Sequence, residues 1–496
     1  MPCWSLMGRL PVPDLSTLFD PKGIIITGVS NHPGKFGFVT LHNILTSGYE
    51  GAVFPVSREP GEVLGQPVLG SIDDVPDGAA DMLFICTPPA INEDLLRQAA
   101  AKGVTAAFCA AGGYREAGPE GIEAEQRLVA LCKELNIALA GPNGQGVVST
   151  PSKMCAQIVA PYAPPGRIAI ASQSGNFVSS FLNLANHTGV GVSRAVAAGN
   201  ASVLGIADYV DYFTDDPETA VSLVYIESVD DGRQMFERLR PLSERKPIVV
   251  VKGGASAAGA RAAASHTGAL ASDDAVFDGM CRQAGLIRAR DVEEAFEAAA
   301  TIATQPRIAG DRVVVVTTVG GWGVAAVDAM ADTRLDPTPL PADLLAAIDE
   351  KLPPRWSKNN PIDMAGGETR DTVPEILQLV AEHPDVDAVV LLGVGIQSNT
   401  AAMMRSGPFF PEHGLERIVG FHERQDTRYA EAAAEIATST GTPIVVATEL
   451  ANADPLNPAP ATSKTLGRLC HASAGRAVRS LHHLAGYSAW RRARGL

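Results

Sequence analysis

The sequence predicts an α/β protein of three consecutive doubly wound domains, at residues 1–150, 160–304 and 310–493. Short apolar runs alternate with helical patterns along most of the chain, which is typical of βαβ units and parallel sheets. Each predicted domain opens with the same design, namely an apolar strand, a turn rich in glycine or serine, and a helix. The length of 496 residues is sufficient for two to four domains with separate cores.

The predicted strands follow one another in a regular order. The first domain starts with GIIITGV (23–29), continues with AVFPV, DMLFICTPP and VTAAFCAAGG, and ends near IALAGPN (137–143). The second contains GRIAIASQSGNF (166–177), VSLVYIES and PIVVVKGG, and the third contains RVVVVTTVGGWGV (312–324), VDAVVLLGV and TPIVVATE. We expect linkers near 150–165 and 304–311 and a closing amphipathic, basic helix over 474–493. Ligands of open α/β sheets bind at the carboxyl ends of strands, so the turns after these strands are the candidate sites.

Composition excludes several classes of function. The 55 acidic residues outnumber the 40 basic ones, and no basic patch stands out, so we expect no nucleic-acid partner. The seven cysteines form no CxxC pair, which predicts neither disulfides nor a metal site. The opening segment MPCWSLMGRLPVPD lacks the apolar core of a signal peptide, and no run is long enough to span a bilayer. These features predict a cytoplasmic protein with no membrane contact.

The first turn, GVSNHPGKFGF, resembles two nucleotide-binding motifs only in part. Five residues separate Gly28 from Gly34, and Phe36 follows Lys35, whereas a P-loop has four intervening residues and a Ser or Thr after the lysine. The second strand ends in Ser57 and Arg58 instead of the acidic residue that binds the ribose of NAD. The residues therefore favour NADP or coenzyme A over NAD and leave these two open.

The second predicted domain offers a candidate phosphate site and two contrasting histidines. Ser174, Gly175 and Asn176 would open a helix, where free N–H groups bind anions, although a serine there is also an ordinary helix cap. His187 lies at the end of that helix before Gly189, where a histidine suits the helix dipole. His266 lies instead among alanine, serine and glycine in ARAAASHTGALASDD (260–274), a setting that gives a loop close access to another surface.

The order of the SQSG turn, YIES, VVVKGG and SHTGALA resembles the NDP-forming acyl-CoA synthetases, including ADP-forming acetyl-CoA synthetase and the succinyl-CoA synthetase α subunit. The segments AGPNGQGVV, GGWGV and KNNPIDMAGG extend this resemblance over nearly the whole chain. It implies a Rossmann-like CoA-binding domain followed by two flavodoxin-like domains of the succinyl-CoA synthetase type. It also implies a ligase that joins a small carboxylic acid to CoA at the expense of ATP, releasing ADP and phosphate.

The resemblance also implies roles for individual residues. His266 corresponds to the histidine that is transiently phosphorylated, and Glu227 to the carboxylate that orients its imidazole. Ser174, Gly175 and Asn176 would hold the phosphoryl group, and Asn143 would lie near the acyl site. The residues expected at the CoA site are Gly28, Ser30, Lys35, Phe36, Ser57, Arg58, Thr87 and Pro88.

Two departures from the family pattern concern the acyl site and the ATP site. Gly144 and Gln145 follow Asn143 where the family commonly has a cysteine after GPN, so the resemblance does not name the acid. The ATP-grasp domain of the fused members has no counterpart in this sequence, so we expect an α-type subunit that works in a hetero-oligomer, with ATP and Mg²⁺ bound by a separate ATP-grasp β-type subunit. The alternatives are an NADP-dependent oxidoreductase and a CoA-binding regulatory protein that has lost catalysis.

Overall fold

The computed structural model describes residues 14–159, 161–227, 229, 231–256, 258–259, 261, 273–364, 366 and 370–496. The chain divides into two compact units, one of residues 1–183 and 192–284 and the other of residues 184–191 and 285–496. Parallel strands dominate three sheets in these units, which confirms the predicted α/β class. The three predicted domain limits stay predictions, because the contacts group the chain into two units.

The first sheet consists of five parallel strands in the order β2-β1-β5-β6-β7. All residues of β1, β5, β6 and β7 are buried, as expected for a parallel sheet covered on both faces. Its strands are β1 Gly23–Thr27, β2 Ala52–Val56, β5 Met82–Ile85, β6 Ala106–Cys109 and β7 Ala138–Ala140, with a hairpin of β3 Gly61–Val63 and β4 Gln66–Val68. Its helices are α1 Ser16–Phe19, α2 Phe36–Thr46, α3 Pro89–Ala101 and α4 Pro119–Leu135, with short 3₁₀ turns at Ile72–Asp74 and Arg115–Ala117.

The second sheet of this unit combines parallel and antiparallel pairing. Its strands are β8 Gly146–Ser149, β9 Met154–Gln157, β10 Pro165–Ser172, β11 Val192–Ala197, β12 Val221–Ile226 and β13 Ile248–Lys252. Its helices are α5 Gly175–Thr188, α6 Ile206–Asp215, α7 Gly232–Arg245 and α8 Asp274–Ala284. Strands β13, β12, β10 and β11 run parallel in that order, while β8 pairs antiparallel with β11 and β9 with β8.

The segment predicted as a linker near 150–165 contains a strand, so this part of the prediction is wrong. Strand β9 pairs with β8, and β8 pairs with β11. Gly146–Ser149, which the sequence places in the first domain, therefore belong to the second sheet. Two four-residue strands show too little periodicity to be recognised without their pairing partner.

The second unit is built on a third parallel sheet in the order β16-β15-β17-β18-β19. The unit's strands are β14 Ile287–Ala289, β15 Val313–Thr317, β16 Ile362–Asp363, β17 Ala388–Leu392, β18 Ile444–Ala447 and β19 Cys470–His471. Its helices are α9 Val292–Thr304, α10 Gly320–Met330, α11 Ala342–Asp349, α12 Thr372–Glu382, α13 Ile396–Ser406, α14 Leu415–Thr440, α15 Leu450–Ala453, α16 Pro458–Thr465 and α17 Ala474–Arg492. The predicted closing helix is α17.

The valine run of β15 shows why these strands are continuously apolar in the sequence. Val314 and Val316 pack into one hydrophobic cluster, and Val313 and Val315 pack into another. Since successive side chains of a strand point to opposite faces, both faces of this sheet are buried. Among the described residues, no helix has the length and apolar character needed to cross a membrane.

Candidate functional site

The predicted CoA residues meet at the carboxyl edge of the first sheet. Strand β1 lies between β2 and β5, and the register pairs Thr27 with both Val56 and Ile85. The turns after these three strands therefore share one edge, where the strand order reverses direction and doubly wound proteins bind ligands. This edge carries all eight expected CoA residues, namely Gly28, Ser30, Lys35, Phe36, Ser57, Arg58, Thr87 and Pro88.

A close approach between two glycines shapes the first turn. Gly28 has φ +71°, a conformation that L side chains rarely adopt. A Cβ on Gly37 would lie 2.4 Å from the carbonyl oxygen of Gly28, so helix α2 begins directly against the turn. Lys35 precedes the first residue of α2, and its side chain is exposed at this edge. Gly37 was not predicted from the sequence, although its spacing from Gly28 and Gly34 is a signal that could have identified it.

A buried hydrogen-bond chain fixes the turn after β5. The Thr87 hydroxyl donates to Asn92 Oδ1 at 2.7 Å, and Asn92 Nδ2 donates to the Tyr114 hydroxyl at 2.9 Å. Asn92 is fully buried, so these bonds replace its contacts with water. Thr87 and Pro88 are thereby held at the start of α3. Asn92 and Tyr114 were not predicted from the sequence, because these hydrogen bonds connect separate elements.

The expected acyl-site residue, Asn143, lies at the same edge, after β7. It has φ +60°, which asparagine tolerates better than most residues, and its N–H donates to the carbonyl oxygen of Ala111 at 2.9 Å. Its side-chain amide donates to Asn200 Oδ1 at 3.4 Å. Asn200, in the segment that follows β11, was not predicted from sequence.

The structure explains the two residues that depart from the family pattern after Asn143. A Cβ on Gly144 would lie 2.6 Å from Phe108 Cζ and 2.4 Å from the carbonyl oxygen of Ala197, so no side chain fits there. Gln145 covers the start of α5: its Nε2 donates to Asn176 Oδ1 at 3.2 Å, and a Cβ on Gly175 would lie 2.2 Å from its Cδ. Phe108 therefore fills the space of the missing side chain, and Gln145 links the loop that carries Asn143 to α5.

The predicted phosphate residues lie at the amino end of α5, which begins at Gly175, one residue after the expected start at Ser174. Ser172 closes the preceding turn, because its Oγ donates to the carbonyl oxygen of Ser174 at 2.6 Å and accepts the Ser174 N–H at 3.1 Å. Asn176 is exposed. The first N–H groups of a helix have no intrahelical partner and carry the positive end of the dipole, so this turn has the chemistry of an anion site.

Glu227 lies next to that turn, because β10 and β12 are neighbours in the sheet. The Glu227 N–H donates to Gln173 Oε1 at 2.6 Å. Burial and the neighbouring Glu227 carboxylate both raise the pKa of Tyr225, so its hydroxyl stays protonated. The Tyr225 ring packs against Phe177 of α5 at a centroid distance of 4.1 Å. Glu227 is thus fixed beside the first turn of α5.

Of the two histidines in HTG sequences, the structure describes His187 but not His266. His187 lies in the last turn of α5, and Gly189 follows with φ +77° and an N–H that donates to Ala185 O at 2.8 Å. This confirms the predicted helix end. His266 lies outside the described residues, and its role stays a prediction.

The turn that opens α10 repeats the geometry of the turn that opens α5. Thr317 Oγ1 donates to the carbonyl oxygen of Val319 at 2.8 Å and accepts the Val319 N–H at 2.9 Å, as Ser172 does with Ser174. The repeated strand-turn-helix design seen in the sequence therefore extends to individual hydrogen bonds. Among the described residues, no group of three His, Cys, Asp or Glu side chains is arranged to bind a metal ion.

Three family models match the chain in succession. The CoA binding domain matches residues 22–150, the succinyl-CoA ligase like flavodoxin domain residues 165–302, and the Ligase-CoA domain residues 313–404. The class of protein is thus an acid–thiol ligase of the succinyl-CoA ligase type. These matches confirm the predicted order of a CoA-binding domain followed by ligase domains.

The chain belongs to the family of ADP-forming acetate–CoA ligases. It is 35% identical over 384 residues to acetate–CoA ligase (ADP-forming) I subunit alpha of Pyrococcus furiosus, with 76% of this chain and 82% of that protein covered. It is 33% identical over 378 residues to acetate–CoA ligase (ADP-forming) I of Archaeoglobus fulgidus, covering 76% of this chain but only 54% of that protein. The chain therefore corresponds to the α subunit and spans about half of the longer relative.

The fold has a close match among solved structures. The dinucleotide forming acetyl-coenzyme A synthetase 1 of Ca. Korarchaeum cryptofilum, in complex with phosphate and ADP, superposes with a TM-score of 0.84 at 27% identity. The match covers 97% of this chain and 99% of that one. Together with the family models, this similarity decides for the ligase over the NADP-dependent oxidoreductase.

Proposed function

We propose that this chain is the α-type subunit of an acyl-CoA synthetase that catalyses carboxylate + CoA + ATP ⇌ acyl-CoA + ADP + phosphate through a phosphohistidine at His266. The observation that carries the proposal is the position of Glu227 beside the first turn of α5. Both lie at the carboxyl ends of β10 and β12, where the strand order of the second sheet changes direction. A carboxylate and a helix N-terminus at one edge suit a histidine that carries a phosphoryl group. The relatives described above are ADP-forming acetate–CoA ligases, which supports the same activity.

Each group in the proposed relay has a chemical task. The neutral imidazole of His266 attacks the γ-phosphorus of ATP, a nitrogen–phosphorus bond forms and ADP leaves. Glu227 fixes the imidazole tautomer and stabilises the charge that develops on the ring. Ser174 with its hydroxyl, and Gly175 and Asn176 with their backbone N–H groups, hold the phosphoryl oxygens.

The acyl transfer follows from the same phosphohistidine. A carboxylate oxygen attacks the phosphorus and releases His266, giving an acyl phosphate. The CoA thiol then loses its proton and attacks the acyl carbon. This step forms the thioester of acyl-CoA and releases phosphate. Lys35 and Arg58, exposed at the edge of the first sheet, would pair with CoA phosphates. An ATP-grasp β-type subunit would bind ATP together with Mg²⁺, and the cytoplasm would supply the carboxylic acid, CoA and ATP.

Phosphorylation tests the proposal directly. The chain, purified with its ATP-grasp subunit, is incubated with [γ-³²P]ATP and Mg²⁺, or with acetyl-CoA and [³²P]phosphate. The label on this chain should be acid-labile and base-stable, as a phosphoramidate is. His266→Ala should abolish label and turnover, since a covalent relay has no substitute route.

The matched control is His187→Ala, the other HTG histidine, which should keep both label and turnover and cost at most about 0.3–1 kcal/mol of stability. An acid-stable label, or turnover in His266→Ala, would contradict the relay. A chain that binds CoA by calorimetry yet takes no label in either direction would support the alternative of a regulatory protein that has lost catalysis.

A further inference from the structure

The segment that follows β11 is attached to the loop that carries Asn143. The Asn200 N–H donates to the carbonyl oxygen of Pro142 at 2.9 Å, and the Ser202 N–H donates to that of Gly141 at 3.2 Å. Gly199 makes this approach possible, because it has φ +54° and a Cβ there would lie 2.2 Å from the Pro142 oxygen. The attachment delivers the Asn200 side chain, which is 8% exposed, to the carboxyl edge of the first sheet.

Two carboxylates use both hydrogens of the Asn200 amide. Asn200 Nδ2 donates to Glu116 Oε2 at 2.7 Å and to Glu125 Oε2 at 2.8 Å. Arg115 is the cation of this cluster: its guanidinium donates to the Asn200 carbonyl oxygen, and its Nε lies 3.7 Å from Glu125 Oε1. Among side chains, only a primary amide offers two N–H donors on its nitrogen and an acceptor oxygen bonded to the same carbon.

The carboxylates fix which way the Asn200 amide points. A flipped amide would turn its oxygen toward two carboxylates, which would leave all three acceptors without a donor. Asn200 Oδ1 therefore faces away from them and accepts from Asn143 Nδ2 at 3.4 Å. The side-chain amide of Asn143 is oriented through this bond.

Glu116 connects the same cluster to the loop that follows β6. Its Oε1 accepts the N–H of Gly113 at 2.6 Å and that of Tyr114 at 3.2 Å. Burial raises the pKa of Glu116, but the hydrogen bonds from Asn200 and from these backbone N–H groups outweigh burial, so the pKa lies below its usual range. The glycine-rich loop and Asn143 are thus held by one charged, hydrogen-bonded cluster.

We infer that Asn200 is a positioning residue for the acyl group: it orients Asn143 and, through Glu116, the loop at Gly112 and Gly113. The inference rests on the proposed function and on the acyl site near Asn143 that the resemblance to the acyl-CoA synthetases implies. Asn200 acts through these neighbours, so its loss should weaken recognition of the acid and leave recognition of CoA unchanged.

Asn200→Asp is the informative variant because it keeps the shape and adds a third carboxylate beside Glu116 and Glu125. At about pH 8 we expect the KM for acetate to rise about tenfold or more, with the KM for CoA unchanged. At about pH 6 part of the loss should reverse, since a protonated aspartate donates to one of the two carboxylates. Asn200→Ser, which adds no charge, should raise the KM for acetate without that pH dependence.

The control is Asn136→Asp, an exposed asparagine at the end of α4, and it should leave both KM values unchanged. An unchanged KM for acetate in Asn200→Asp, or equal rises for acetate and CoA, would overturn the inference while wild-type turnover still supports the proposed function. A wild-type complex with neither turnover nor CoA binding by calorimetry would overturn the proposed function itself, and the inference with it.

Discussion

Replacing Gly253 by alanine should slow phosphorylation without affecting CoA binding. Gly253 follows β13, and its N–H donates to the carbonyl oxygen of Ile226 at 2.8 Å. A Cβ at this position would lie 2.6 Å from the Tyr225 hydroxyl oxygen and 3.6 Å from Glu227 Cγ. The substitution therefore pushes against the Tyr225 side chain, next to Glu227, the proposed partner of His266, and it contacts none of the candidate CoA residues.

The size of the effect follows from these distances. The Tyr225 oxygen has to retreat by about 0.8 Å to reach ordinary contact at 3.4 Å. The ring has little freedom to do so, because it packs against Phe177 at 4.1 Å, so Glu227 and its neighbours have to move as well. Overpacking of this kind costs about 1–3 kcal/mol. If that cost falls on the phosphorylation step, the rate drops about 5- to 150-fold.

The assay compares the rate of acid-labile ³²P incorporation with the Kd for CoA measured by calorimetry. Gly279→Ala on α8 is the control, because the nearest atom to its new Cβ would be Arg282 Nη2 at 3.9 Å; both rates and affinities should match the wild type. Gly253→Ala with an unchanged labelling rate, or with a weakened Kd for CoA, would refute the reasoning.

Three further perturbations follow from the structure. Gly37→Ala places a Cβ 2.4 Å from the Gly28 carbonyl oxygen; since backbone cannot yield as a side chain does, calorimetry should show a CoA affinity reduced about tenfold or more, and wild-type affinity would argue against CoA binding at this turn. The Asp216 side chain is 3% exposed and accepts a hydrogen bond from Arg194 Nε at 3.1 Å, so Arg194→Met leaves a buried carboxylate without this cation. Denaturant unfolding should show that the free energy of unfolding falls by about 3–5 kcal/mol, and a fall under about 1 kcal/mol would contradict this account. Burial, aided by Arg476, lowers the pKa of His471 to about 3, so between its unfolded pKa of about 6.5 and about pH 3 only the unfolded state takes up the proton. The free energy of unfolding should therefore fall by up to about 1.4 kcal/mol for each unit by which the pH decreases. His471→Gln should flatten the pH dependence of unfolding between about pH 6 and pH 4, and an unaltered slope would assign it to other groups.

The sequence by itself determined the class of fold and the position of the turns. The strands that were predicted in the three sheets begin and end close to the apolar runs, because a strand buried on both faces has to be continuously apolar. Helix α5 starts within one residue of the predicted Ser174 and ends before Gly189 as predicted, since helix ends depend on local backbone chemistry. The candidate CoA and phosphate residues lie in turns that the same local signals mark, whereas their roles are what the resemblance to the acyl-CoA synthetases implies.

Only the tertiary structure decided which of these segments meet. An apolar run does not specify its neighbour, so the strand orders and the pairing of β9 with β8 could not be predicted. The bonds from Asn200 to Glu116 and Asn143 join residues 84 and 57 positions apart, and the contact of Gly253 with Tyr225 joins two strand ends. Hydrogen bonds and steric contacts of this kind depend on distances in space, which the chain acquires only when its sheets are assembled.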